Sequence, residues 1–203
     1  MSCTLTSEQI KQVTDFHGHW CPGLAIGLRA AEWALHELGR AGDEEIVAVV
    51  ETDMCGVDAI QALTGCTFGK GNLIHLDYGK NAFSFHRRRD GKAARLVANP
   101  GIFGESRQEL GRLMAKQKEQ GLSPAEQQQL ADLRGEFSRQ VMESPMDELF
   151  TISSLTTEPP AKARIMNSLP CEQCGEGTME SRTRRCQGKT LCIPCFNDLE
   201  KRL

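Results

Sequence analysis

Two CxxC pairs near the C-terminal end constrain this chain more than any other feature. In "CEQCGEGTMESRTRRCQGKTLCIPCF", Cys171 and Cys174 form one pair and Cys192 and Cys195 the other, with seventeen residues between them. That spacing matches the pattern of a zinc site, in which each pair presents two thiolates from a tight turn or a helix start and the two pairs close a tetrahedron. A tail of about 35 residues is too short to fold on apolar burial alone, so metal binding would supply its folding energy. The alternative is a set of unrelated free cysteines or a redox pair. Cys186, between the pairs, is left as a spare thiol because four ligands already complete the set.

The tail implies a boundary upstream. "EPPAKARIMNSLP" holds three prolines and little periodicity, which marks a linker at 159–168 between a core at 1–158 and a finger at 169–203. Net charge is -3 overall, yet from residue 159 onward eight Lys/Arg face five Asp/Glu. Four metal-bound thiolates would cancel most of that excess, so it is weak ground for a nucleic-acid partner.

The 158-residue core is long enough to bury a real interior. Thr6 and Gln9 have capping-box spacing, predicting a short helix over 5–16. Pro22 at a first helical position and Leu24, Leu28, Ala31, Leu35 and Leu38 predict a second helix over 22–38, ending at Gly39. "EEIVAVVET" reads as a buried strand, and "DMCGVDAIQALTG" as a helix capped by Asp53 and stopped by Gly65. "NLIHLDYG", "NAFSFHRRR" and "KAARLVAN" read as three short strands, with Asp90-Gly91 as a hairpin turn. The chain then reads as helical from Gly104 to Ser144, restarting at Ser123, Pro124 and Glu126, and "ELFTISSLTTE" returns an antiparallel strand. The fold class is α+β: a largely antiparallel sheet flanked by helices, plus a small zinc finger.

A second cluster of ligand-type residues lies in "DFHGHWCPGLAIG". His17, His19 and Cys21 alternate, which puts them on one side of an extended segment. Cys21 precedes a helix start and Cys55 falls in the first turn of another, where the helix dipole favours a thiolate, either as ligand or as nucleophile. His17, His19, Cys21 and Cys55 thus form a plausible site for zinc or another divalent metal if the fold joins the two segments. Catalytic candidates are Cys21, Cys55, Asp53 and Asp58, with the carboxylates orienting a ligand or moving a proton. Against this, the histidines can simply hydrogen-bond in a turn, and free cysteines are often small buried apolar residues. "GCTFGKGN" offers Cys66, Lys70 and backbone N–H groups as an anion- or cofactor-binding loop, though such a Gly-x-Gly is usually only a turn. His36, His75 and His86 read as surface or packing residues, and "HRRRDGK" as a solvated hairpin tip.

"FHGHWCPGLAIGLRAA", "DMCGVDAIQALTGCTFGKGNL" and "DYGKNAFSF" resemble the FmdE family of formylmethanofuran dehydrogenase proteins, and the CxxC pairs resemble the treble-clef zinc finger of some members. The resemblance implies an α+β core with a metal site at His17, His19, Cys21 and Cys55, with Cys66 nearby, and a tendency to dimerise. Two functions follow: a metal-binding protein handling a small ligand or cofactor associated with a molybdenum or tungsten formylmethanofuran dehydrogenase-like enzyme, or a metal- or ligand-sensing module whose finger contacts protein or nucleic acid. The start "MSCTLTSEQIKQ" has no basic segment followed by an apolar block and no run is long enough to span a bilayer, so a cytoplasmic location is expected.

Overall fold

A computed structural model describes residues 3–103 and 106–201. The chain forms two compact units, Met1–Lys162 and Ala163–Leu203. The first holds a five-stranded sheet of β1 (Ile46–Val50), β2 (Leu73–His75), β3 (Ala82–Arg87), β4 (Ala93–Ala98) and β5 (Phe150–Ser154), in the order β2-β1-β3-β4-β5. Every neighbouring pair is antiparallel except β1 with β2. That pair is parallel because a helix, α3 (Gly56–Thr64), carries the chain back across the sheet between them. The return of β5 beside β4 is antiparallel, as the sequence leads one to expect.

The helices α1 (Ser7–His17) and α2 (Pro22–Glu37) precede the sheet. The Thr6–Gln9 capping box is formed, and Gly18 ends α1 at φ 92, a left-handed turn that costs glycine little. Beyond the apolar stripe read from the sequence, α2 buries Ala25, Arg29, Ala30 and Glu32, so it is enclosed on more than one side. One face of the sheet supplies Ile46, Ala48, Val50, Phe83, Phe85 and Leu96 to the same core as Leu24, Leu28 and Ala31.

The helical stretch divides into α4 (Ser106–Glu119) and α5 (Pro124–Glu143), the latter started by a capping box of Ser123 and Glu126. Gly104, where the sequence predicts that stretch to begin, lies outside the described residues. Arg29 ties α2 to the end of α5, donating from Nη1 to the carbonyls of Val141, Met142 and Ser144 and from Nε to Glu32. A guanidinium at a helix C-terminus satisfies carbonyls that have no partner in the helix. A short helix, α6 (Met146–Leu149), leads into β5.

The second unit contains two hairpins and a helix. Strands β6 (Ser168–Pro170) and β7 (Gly177–Met179) pair, as do β8 (Thr183–Cys186) and β9 (Lys189–Cys192), and α7 (Ile193–Glu200) follows. Its apolar centre is small: Cys171, Leu191 and Cys192 are buried, with Cys186, Cys195, Phe196 and Leu199 packed on them.

Candidate functional site: a His–Cys cluster at two helix starts

The N-termini of α2 and α3 meet because two glycines let their backbones touch. A Cβ added to Gly27 would lie 2.2 Å from the Gly56 carbonyl oxygen and 2.4 Å from its Cα. No side chain fits at Gly27, and one at Gly56 would be tight, its Cβ 3.0 Å from the Gly23 carbonyl oxygen and 3.2 Å from Gly27 Cα. It sets the residues just before the two helices side by side: Cys21 is the N-cap of α2 and Cys55 the N-cap of α3.

This alters two expectations. Asp53 does not cap α3; the helix starts at Gly56, Asp53 is exposed, and Thr52 Oγ accepts from the Met54 N–H instead. Nor do His17, His19 and Cys21 alternate along an extended segment. His17 is the last residue of α1, and the left-handed turn at Gly18 redirects the chain so that His19 folds back, its ring centre 4.4 Å from that of His17.

The result is still convergence. One ligand atom from each of His17, His19, Cys21 and Cys55 lies within 4.8 Å of the others. Cys21 Sγ accepts from the Leu24 N–H at 3.4 Å, and a Cβ at Gly23 would stand 3.3 Å from Cys55 Cβ, so the glycine leaves the cluster room. His17 is only 10 % exposed; its Nδ1 is 2.7 Å from Asp58 Oδ2, while its buried Nε2 has no hydrogen-bond partner. A buried ring nitrogen without a partner is costly unless something else meets its lone pair.

Electrostatics argue for a cation rather than a free nucleophile. Burial pushes the Cys55 thiol up, and the adjacent Cys21 sulfur and the Asp58 carboxylate push the same way. The backbone N–H of Cys55 opposes this but does not overcome it. A divalent metal reverses that balance, since a coordinating thiol loses its proton. Two imidazoles and two thiols are a donor set that suits zinc.

Other sequence-predicted residues lie elsewhere. Cys66 and Lys70 follow the opposite, C-terminal end of α3; Cys66 is fully buried with Sγ on the Ile46 carbonyl, and Lys70 Nζ reaches the Asp43 carbonyl at 3.4 Å. The loop is not an open anion cradle either, because the N–H groups of Thr67, Phe68, Lys70 and Gly71 are all used within the unit. His86 is a packing residue, buried on β3, whereas His36 and His75 are exposed. At the "HRRRDGK" tip Arg87 chelates Asp90 with both Nε and Nη2, although its Nη1 reaches back to the Glu37 and Leu38 carbonyls. Sequence reading missed the Gly27–Gly56 crossing; two glycines interrupting otherwise good helix formers were the available signal.

The finger cluster is a separate site. Cys171, Cys174, Cys192 and Cys195 also place their sulfurs within 4.8 Å of one another, and Cys174 Sγ lies 3.9 Å from Cys192 Sγ. Four sulfurs about 2.3 Å from a tetrahedral zinc are about 3.8 Å apart. The Cys171 thiol is held down to about 6 by backbone N–H groups of Cys174, Cys192 and Gln173, whereas the Cys192 sulfur, burial and the other sulfurs push Cys195 up. Gly175, at φ 78, turns the knuckle and donates to the Cys171 carbonyl.

An α+β core with a mostly antiparallel sheet, followed by a four-cysteine structural zinc site, defines a metal-binding protein with an appended finger. The chain belongs to the FmdE family: residues 16–151 match the family described as "FmdE, Molybdenum formylmethanofuran dehydrogenase operon", and residues 164–201 match the prokaryotic dksA/traR C4-type zinc finger. A crystal structure of a tungsten formylmethanofuran dehydrogenase FmdE-like protein from Syntrophus aciditrophicus is similar over 98% of this chain and 97% of its own, with a TM-score of 0.63 and 24% identity. At that identity the likeness speaks to the fold. A relative from Archaeoglobus fulgidus, "Probable S-adenosyl-L-methionine-binding protein", is 34% identical over 191 residues; the match covers 89% of this chain and 50% of the relative. The chain thus spans about half the length of that curated relative.

Proposed function

We propose that the core is a divalent-metal site held by His17, His19, Cys21 and Cys55, and that it handles a small ligand or cofactor associated with a molybdenum or tungsten formylmethanofuran dehydrogenase-like enzyme. The observation that carries the metal reading is the convergence of four ligand residues, one of which, His17, has a buried Nε2 without a hydrogen-bond partner. When bound, the metal supplies a Lewis acid and a site for a ligand donor atom. The chain's own residues do the rest: Cys21 and Cys55 set two anionic ligands at helix N-termini, and exposed His19 is the ligand that faces an approaching molecule. The association with a dehydrogenase rests on the family match, and the name of the Archaeoglobus fulgidus relative is compatible with a small-molecule ligand.

A knuckle, a hairpin and a helix that together offer four cysteines are the parts of a treble clef, and we assign the finger to that type. A second reading, a sensing module that works through the finger, is favoured by exposed Arg184, Arg185 and Lys189 on the β8–β9 hairpin and Arg182 in the turn before it. Phe196 is the unit's sole aromatic and it packs inward, leaving no platform for base stacking, so protein contact fits better than nucleic acid. A homodimer is the simplest such partner, and cysteines grouped as metal-ligand sets suit the cytoplasm.

Metal analysis of the purified full chain tests the core reading. Wild type should load both clusters, Cys21→Ala only the finger, and Cys171→Ala only the core. Undiminished metal content in Cys21→Ala would remove the core site from consideration.

A further inference from the structure

Asp58 is three residues beyond Cys55 on α3, yet its carboxylate is spent on neither the helix nor solvent alone. A carboxylate at the third helical position ordinarily reaches back to the N-cap N–H. Here α3 has no side-chain cap, and Asp58 Oδ2 instead sits 2.7 Å from Nδ1 of His17, forty-one residues earlier in the chain. An ionised carboxylate only accepts hydrogen bonds, so the imidazole must carry its proton on Nδ1 and leave Nε2 bare. That bare Nε2 is the buried atom without a hydrogen-bond partner.

We propose that Asp58 is the positioning residue of the core site: it fixes the tautomer and ring orientation of His17 so that Nε2 faces Cys21 and Cys55. This rests on the core-metal reading given above. The same helix therefore provides one ligand, Cys55, and aims a second that arrives from α1. The arrangement ties α1 to α3 across the cluster and removes the need for the imidazole to reorient when a metal binds. Outer-shell carboxylates of this kind both orient the histidine and raise its strength as a donor, and removing one costs about 10- to 100-fold in metal affinity. A helix-dipole role alone would be indifferent to His17.

The test uses the full chain, with its finger loaded with zinc, and two measurements. The first is the His17 tautomer by long-range 1H–15N NMR without core metal at about pH 8, where an ordinary imidazole is neutral. Wild type should show the Nδ1–H form; Asp58→Ala should shift toward the Nε2–H form. The second is core-site Co2+ affinity, measured from thiolate-to-cobalt absorption in competition with a chelator. Asp58→Ala should weaken Co2+ about 10- to 100-fold. Asp58→Asn, whose amide can accept from Nδ1–H or donate to a bare Nδ1, should show a mixture of the two tautomers and weaken Co2+ less than Asp58→Ala. Unchanged tautomer or unchanged affinity in Asp58→Ala, with His17→Ala and Cys55→Ala losing Co2+, would overturn the assignment to Asp58 alone. Wild-type Co2+ binding in His17→Ala and Cys55→Ala as well would overturn the metal reading and this proposal with it. Because Asp58→Asn preserves shape, a poorly folding Asp58→Ala leaves the tautomer of wild type decisive: an Nε2–H form there refutes the proposal.

Discussion

Replacing Gly27 by alanine isolates the backbone crossing that creates the core site. In a helix interior this change by itself stabilises by about 1 kcal/mol, because alanine gives up less conformational freedom than glycine. At Gly27 the new Cβ would instead stand 2.2 Å from the Gly56 carbonyl oxygen and 2.4 Å from its Cα, where ordinary contact begins at 3.4 Å. Both neighbours are backbone, so α2 and α3 must separate by about 1 Å rather than turn a side chain aside. Overpacking of this kind costs about 1–3 kcal/mol, and a clash this deep belongs at or above the upper end. After the propensity gain, a net loss of about 2–3 kcal/mol is expected, equivalent to about 5–10 °C in Tm for a unit of this size. Because Cys55 moves with α3, Co2+ binding at the core should weaken as well. Gly111→Ala and Gly135→Ala are matched controls, being helical glycines with nothing within 4 Å of an added Cβ. They should be stabilised by about 1 kcal/mol. Urea unfolding followed by circular dichroism reads all three. A Gly27→Ala midpoint equal to or above wild type would refute the reasoning.

Stripping zinc with a chelator should unfold residues 163–201 while β1 to β5 keep their amide protection, since among the described residues the finger's apolar centre has three buried ones; hydrogen exchange distinguishes this from no change in the finger. Cys192→Ser should behave similarly even with zinc present, because it removes one of the four sulfurs while leaving the backbone N–H that reaches Cys171 Sγ in place. The Glu126 carboxyl is held at about 2 by the Lys116 ammonium first and by Ser123. A carboxylate depressed in the folded state stabilises above its unfolded value of about 4.3 and loses that contribution as pH falls toward 2. Glu126→Gln should therefore narrow its Tm gap to wild type between about pH 5 and pH 2, and a gap constant across that range would contradict the assignment.

Much of this was readable from the chain because it rests on local rules. The capping boxes at Thr6 and Ser123, proline at the start of α2 and the two CxxC pairs act over a few residues, so spacing alone specifies them. The antiparallel return of β5 followed from the lack of regular strand–helix alternation, though the same argument hid the parallel β1–β2 pair formed around α3. The core cluster was half legible: its residues were nameable, but the reason they meet was not. Alternation along a strand pointed to His17, His19 and Cys21, whereas a helix end, a left-handed glycine and a helix start bring them together.

The sequence by itself thus determined the elements, the finger ligands and the types of side chain available to the core site. Tertiary structure decided which of them converge. Whether Cys55 stands beside Cys21 depends on two backbones touching at Gly27 and Gly56, and whether His17 offers Nε2 depends on Asp58 forty-one residues away. Both are contacts between segments distant in the chain, and no local periodicity encodes the distance at which two helices cross.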